Sequence, residues 1–235
     1  MLWYKAWLET RWRFVFMLGS IVLLWFAPHF LPFFGFRLPP GVLASRIWMA
    51  VHIGSVLLYI VAANFLAGSG VNSQTTYAVT SGFHGSMLFT LSLPVSRRRL
   101  LLVRAGLGAL LTGVLVAVMA GYTLFQRPEG VSALQALEYI ARAIACTMAV
   151  YALSVLMACV LDEMWQFYAA CFCWIAFYLL QSRFAVVSWV SPLRGMTLFS
   201  YPLTAPIPWA PIVASLALAG VFLCASALVL QRKEY

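Results

Sequence analysis

The 235-residue chain is 64% hydrophobic and only 9% charged, against about 25% charged residues in an ordinary soluble domain. Its mean hydropathy of +0.94 excludes a single water-soluble core and makes lipid the solvent for most of the chain. The net charge of +9 does not point to nucleic acid, because the basic residues stand singly or in short groups between long apolar runs and line no single exposed face.

Met1 to Arg13, MLWYKAWLETRWR, has no small-residue cleavage site ahead of the first apolar run. It reads as an interfacial helix, residues 1–13, with Trp3, Trp7 and Leu8 towards lipid and Lys5, Arg11 and Arg13 towards headgroups. A spanning helix needs about 20 mostly apolar residues. Six segments reach that length: 14–33, 47–69, 100–124, 136–161, 165–187 and 210–230. Pro28 and Pro32 kink or end the first of them.

An even number of spans puts both termini on one side. With the termini cytoplasmic, the inside basic residues are Lys5, Arg11, Arg13, Arg97, Arg98, Arg99, Arg104, Arg232 and Lys233, and the outside ones are Arg37, Arg46, Arg127, Arg142, Arg183 and Arg194. Nine against six favours that orientation by the positive-inside rule. The predicted fold is an all-α integral membrane protein of six transmembrane helices in one domain, 1–235, with no internal repeat and no soluble module.

The connections are unequal. Residues 70–99 form the longest cytoplasmic piece, polar and uncharged in its first half (GVNSQTTYAVTSG) and apolar from Phe83. Phe83 to Leu93 is long enough for a short helix with an apolar face, Pro94 closes it, and Ser96 is placed to cap the third span. Arg97, Arg98 and Arg99 start that span in the headgroup zone, each worth about 1 kcal/mol against an anionic leaflet. Asp162-Glu163-Met164 makes an abrupt turn. Residues 188–209 carry four prolines and suit a loop or a re-entrant pair of short helices at the outer interface.

Small residues recur four apart in the third span, at Ala105, Ala109, Gly113, Ala117 and Gly121, and again at Ala141, Ala145 and Ala149. Such a ridge lets helices approach closely. It serves packing inside one bundle or contact with a second copy of the chain.

Constellations of catalytic residues are missing. The carboxylates Glu9, Glu129, Glu138, Asp162, Glu163 and Glu234 all lie at or near segment ends, and Glu138 and Arg142 stand at pairing distance on one helix. His29 and His52 both fall in the outer half and admit a bis-histidine haem, whereas ordinary hydrogen-bonded histidines are the simpler reading. No HExxH, GxSxG or GxxxxGK[ST] occurs, so the sequence offers no motif for zinc proteolysis, serine hydrolysis or nucleotide binding. Cys146, Cys159, Cys171, Cys173 and Cys224 sit in apolar segments without CxxC spacing and read as unreactive thiols. The chain is not expected to be an enzyme, nor to hold a metal or cofactor of its own.

The stretch GSMLFTLSLPVSRRRLLLVRAGLG, Gly85 to Gly108, resembles the segment between the second and third membrane helices of ABC transporter permeases of the type-2, exporter-like family. WLETRWRF (Trp7 to Phe14) is similar to that family's amphipathic N-terminal helix, and ALVLQRKEY (Ala227 to Tyr235) to its basic tail after the sixth helix. The match is specific around Leu91 to Leu102 and compositional elsewhere. Where relatives carry an acidic stretch before the glycine, this chain has Ser81, Gly82, Phe83 and His84.

The resemblance implies a coupling helix over 83–95 that docks on a separate ATPase subunit through Phe83, Leu88, Phe89, Leu91, Leu93, Pro94, Val95 and Ser96. It implies ATP and Mg bound by that partner, a second permease copy or related permease alongside, and residence in a bacterial cytoplasmic (inner) membrane. The scarcity of charge at mid-membrane favours an amphipathic or hydrophobic cargo over a small ion. The alternative functions are a haem-binding redox anchor and a non-transporting membrane scaffold.

Overall fold

In hydrocarbon an unpaired backbone amide costs several kcal/mol, and a helix satisfies its amides within one segment. The computed structural model describes residues 2–30, 40–67, 96–125, 131–161, 163–198, 200–204 and 206–232, and among them every regular element is helical. In chain order these are α1 (Leu2–Phe30), α2 (Pro40–Ala67), α3 (Arg97–Phe125), α4 (Ala133–Val160), α5 (Glu163–Arg183), α6 (Ala185–Trp189), α7 (Pro192–Gly195) and α8 (Trp209–Arg232).

Within the described residues the predicted apolar segments fall on helices, except that 165–187 is interrupted at Phe184, between α5 and α6. The stretches assigned to an interfacial helix and to the first span run together, since α1 is continuous from Leu2 to Phe30. Its inward residues Ala6, Thr10, Met17 and Ile21 are buried at helical spacing, so from Ala6 to Ile21 one face of the rod leans on α2 and α3. Arg13 lies on this side as well. It donates from Nη1 to the Phe65 carbonyl at 3.2 Å and sits 5.5 Å from that ring, where the sequence placed it among headgroups. Trp3 and Trp7 are exposed.

Three helices among the described residues are long and apolar enough to cross a membrane: α3 from Arg99, α4 and α8. A fourth is counted if α5 and the α6–α7 pair, bent by 114° from it, make one broken span; α2 adds a shorter apolar stretch, His52–Ala67. The outward faces are as apolar as the core. Leu102, Leu110, Phe172, Ile175, Val213 and Val221 are all at least half exposed, a surface suited to lipid rather than water.

Helix α4 is the centre, packed against α2, α3, α5, α7 and α8, with Tyr139, Ala143, Cys146, Val150 and Val155 fully enclosed. Ser132 starts it with a capping box, its hydroxyl taking the Gln135 amide while the Gln135 side chain returns to the Ser132 amide. The most extensive contact is α4 on α8. There α8 presents small residues, Ser215, Ala219 and Ser226, which let the backbones close in. The two serine hydroxyls are satisfied within the helix, on the Pro211 and Phe222 carbonyls.

Polar links tie the remaining helices. The Ser55 and Thr123 hydroxyls meet at 2.8 Å between α2 and α3, Ser154 of α4 donates to the Asn64 side chain of α2, and Tyr151 of α4 donates to the Ala105 carbonyl of α3 at 2.8 Å. Beside that last bond lies Gly108, where a Cβ would collide with the Tyr151 hydroxyl.

Candidate functional site

Helices α2 and α5 both rest on α4 yet touch each other at few points. Gln166 of α5 bridges them at one end, donating to the Asn64 carbonyl at 3.2 Å. The segment after α5 closes the other end. Between these two closures lies a groove of about 630 Å³, within the usual range of small-molecule pockets.

The side walls obey helical periodicity. On α2 the lining residues are Ile53, Val56, Leu57, Ile60 and Val61, and on α5 they are Cys171, Trp174, Ile175, Tyr178 and Gln181. Both sets recur at three- and four-residue intervals, so each is one face of its helix. Trp174 is only 6% exposed and meets Phe177 edge-on at 5.7 Å. Ile53, Leu57, Ile175 and Tyr178 are half exposed or more, so the groove opens sideways, towards the surroundings of the bundle.

Its closed end is polar. His52, Gln181, Arg194, Thr197 and Ser200 line it. After the break at Phe184, Ser191 caps α7 by accepting the Arg194 amide, and Pro192 occupies the first turn, where its missing N–H costs nothing. Ser191 also donates to the Gln181 side chain, pinning α7 to the end of α5. The Arg194 guanidinium donates to the Ser188 hydroxyl and, at 3.5 Å, from Nε to the Ser200 hydroxyl. Among the described residues no carboxylate pairs with it, so its charge is met only by neutral oxygens.

The irregular backbone after α7 is held by four side chains. His52 Nε2 accepts the Leu198 amide at 3.1 Å, Tyr139 donates to the Met196 carbonyl at 3.4 Å, Arg142 Nη2 donates to the Tyr201 carbonyl at 3.0 Å, and Gln135 donates to the Leu203 carbonyl at 3.4 Å. The Arg142 guanidinium also lies 5.5 Å and 5.9 Å from the Tyr139 and Tyr201 rings. Non-helical backbone inside an apolar bundle persists only where protein groups meet its amides. Gly195 completes the seat, since a Cβ there would strike the Cys146 sulfur and crowd Pro211.

This geometry corrects one sequence reading: Arg142 turns to the Tyr201 carbonyl and forms no ion pair with Glu138. His52 accepts the Leu198 amide at Nε2, a hydrogen-bonded role of the kind the sequence reading preferred. Where the sequence left a loop or short helices open over 188–209, the chain forms α6 from Ala185, within the predicted fifth span, and then α7.

Of the expected coupling residues, Phe83, Leu88, Phe89, Leu91, Leu93, Pro94 and Val95 lie outside the described residues. Ser96 is described and caps α3, its hydroxyl accepting the Arg99 amide at 3.4 Å. Arg97 is the first residue of α3, and Arg99 is exposed. In the small-residue ridge Ala105 is buried while Ala109, Gly113, Ala117 and Gly121 are half-buried, and a Cβ at Gly121 would meet nothing within 4 Å. Of the α3 glycines, the one with no room for a Cβ against α4 lies off the ridge, at Gly108.

Sequence reasoning misses the groove itself. Trp174 and Tyr178 are visible as aromatics, but α5 is apolar on every side, so no pattern marks which face is open. No group of three His, Cys, Asp or Glu side chains able to hold a metal occurs among the described residues. What the arrangement offers is binding: apolar walls, one guanidinium and several hydroxyls at a closed end. Comparison with protein-family models, curated proteins and solved structures gives no match.

Proposed function

We propose that the chain is the membrane-spanning subunit of an ATP-driven ABC exporter, moving a hydrophobic or amphipathic substrate while a separate ATPase subunit binds ATP and Mg. The observation that carries this reading is the stretch FTLSLPVSRRRLL, Phe89 to Leu101, with its likeness to the coupling region of type-2 permeases. Six spans, cytoplasmic termini, a second permease copy and a bacterial inner membrane belong to the same proposal.

Two features of the fold support it. In sequence the stretch 83–95 is followed by Ser96, which caps α3, and α3 packs on α1, α2 and α4. A push at the Arg97 end of α3 therefore reaches α2, one wall of the groove, through packed helices. The groove between α2 and α5 supplies an apolar surface reachable from the side, as a lipid-phase cargo needs. Coupling in this sense requires the ATPase to bind two membrane conformations with different affinity.

Replacing Leu91 and Leu93 together with aspartate is expected to leave the chain in the membrane and abolish co-purification of the ATPase. Undiminished co-purification of the double variant would refute the docking surface.

A further inference from the structure

We infer that the α2–α5 groove is a receptor for a single-chain amphiphile with an anionic head, a carboxylate or a phosphate, taken sideways from the bilayer. This deepens the exporter proposal, and rests on it only for the transport step; binding stands on the groove alone.

Charge comes first. Arg194 carries a permanent positive charge at the polar end, and among the described residues only the Ser188 and Ser200 hydroxyls receive its guanidinium N–H groups. Keeping a guanidinium beside an apolar cavity without a counter-anion is costly. A carboxylate or phosphate there supplies the counter-charge and accepts two parallel hydrogen bonds. Ser200, whose hydroxyl accepts from Thr197 at 3.0 Å and from Arg194, keeps its own proton and stands beside the guanidinium as a further donor.

Length comes second. The α2 wall runs from His52 to Val61, about 14 Å at 1.5 Å per residue. That is close to half of the roughly 30 Å hydrocarbon thickness of a bilayer, the depth of one leaflet's acyl chain. The third point is access. The rims formed by Leu57 and Ile175 are exposed, so a chain enters laterally without crossing water, and its head reaches Arg194 as its tail lies along the walls.

The test is binding to the purified full chain in nanodiscs of zwitterionic lipid, without ATPase, using oleate, lysophosphatidic acid, lysophosphatidylcholine and monoolein as probes. The expected result is saturable binding of the first two, at least about tenfold tighter than of the last two, the worth of one charge-assisted hydrogen bond. Arg194→Gln should erase that preference and Arg194→Lys should keep part of it. Val56→Trp should fill the groove and reduce binding of all four. Thermal unfolding of each variant separates loss of the site from loss of the fold.

Equal affinity for anionic and neutral probes overturns the inference, as does an Arg194→Gln variant, folded, that keeps the preference. If oleate binds and lysophosphatidic acid does not, the head is a carboxylate; the reverse identifies a phosphate. Absent binding alongside an intact ATPase complex sinks the groove and leaves the exporter. Binding without any ATPase association does the opposite.

Discussion

Arg142→Ala is expected to lower the stability of the chain by about 3 kcal/mol, and with it the seating of the segment 196–204. Arg142 is 2% exposed and is the largest fully enclosed side chain among the described residues. Two effects oppose each other here. Removing a buried charge that has no ion-pair partner recovers a desolvation cost. Against this, truncation to alanine opens a cavity, worth several kcal/mol for a long side chain, and strands the Tyr201 carbonyl in an apolar interior at about 1–3 kcal/mol.

Cavity and carbonyl together outweigh the recovered desolvation because the guanidinium, though its Nε has no hydrogen-bond partner, is held by the Tyr201 carbonyl and lies near the Tyr139 and Tyr201 rings. At about 2–4 °C per kcal/mol for a chain of this size, the melting midpoint in detergent should fall by about 6–12 °C. Arg142→Lys keeps the charge, loses the planar stack, and should fall in between. Limited proteolysis should locate the loosening after Gly195. An unchanged midpoint would contradict the role given to Arg142.

Gly108→Ala tests the contact of α3 with Tyr151 of α4. In an open helix this change stabilises by about 1 kcal/mol. Here the new methyl meets the Tyr151 hydroxyl, and Tyr151 cannot retreat, because its ring is buried and its hydroxyl is bound to the Ala105 carbonyl. Overpacking costs about 1–3 kcal/mol, and the lost hydrogen bond about 1 more. The net expectation is a loss of about 2 kcal/mol.

The double variant Gly108→Ala, Tyr151→Phe should be no less stable than Gly108→Ala alone, since removing the hydroxyl removes the closest contact and leaves ring carbons at 3.1 and 3.2 Å that need shift only by a few tenths of an ångström. That is strong coupling between two sites in contact. Gly106→Ala is the control. Its Cβ meets only the Trp3 ring, at 3.4 Å, so helix propensity decides and the change should be neutral or favourable. Thermal unfolding of the wild type, these three variants and Tyr151→Phe measures all of this.

Much of the helical layout is legible in the sequence because its signal is local: apolar length marks the α3, α4 and α8 rods, and Ser96 marks the start of one of them. Pro192 and the prolines beyond it likewise indicate short helices after α5. Relations between helices are not local. Nothing near Arg142 in sequence reveals that its partner is Tyr201, fifty-nine residues away; the neighbouring Glu138 is the only visible candidate.

The small-residue ridge misdirects for a related reason. Spacing identifies where close approach is allowed, whereas Gly108 is required by the bulk of Tyr151 across the interface. The groove is hidden because α2 and α5 are apolar all round, which is the normal condition of a helix in lipid. Only their spacing on α4 separates an open face from a packed one. Arg194, in turn, reads as one outside charge among six until α7 brings it to the end of that groove.

The most direct test of the exporter reading is the ATP turnover of the partner ATPase in vesicles, measured with and without this chain. Turnover is expected to change when the chain is present and to return to the level of the ATPase alone when Leu91 and Leu93 are both aspartate. Equal turnover with and without the wild-type chain, at protein levels that saturate any complex, would contradict it.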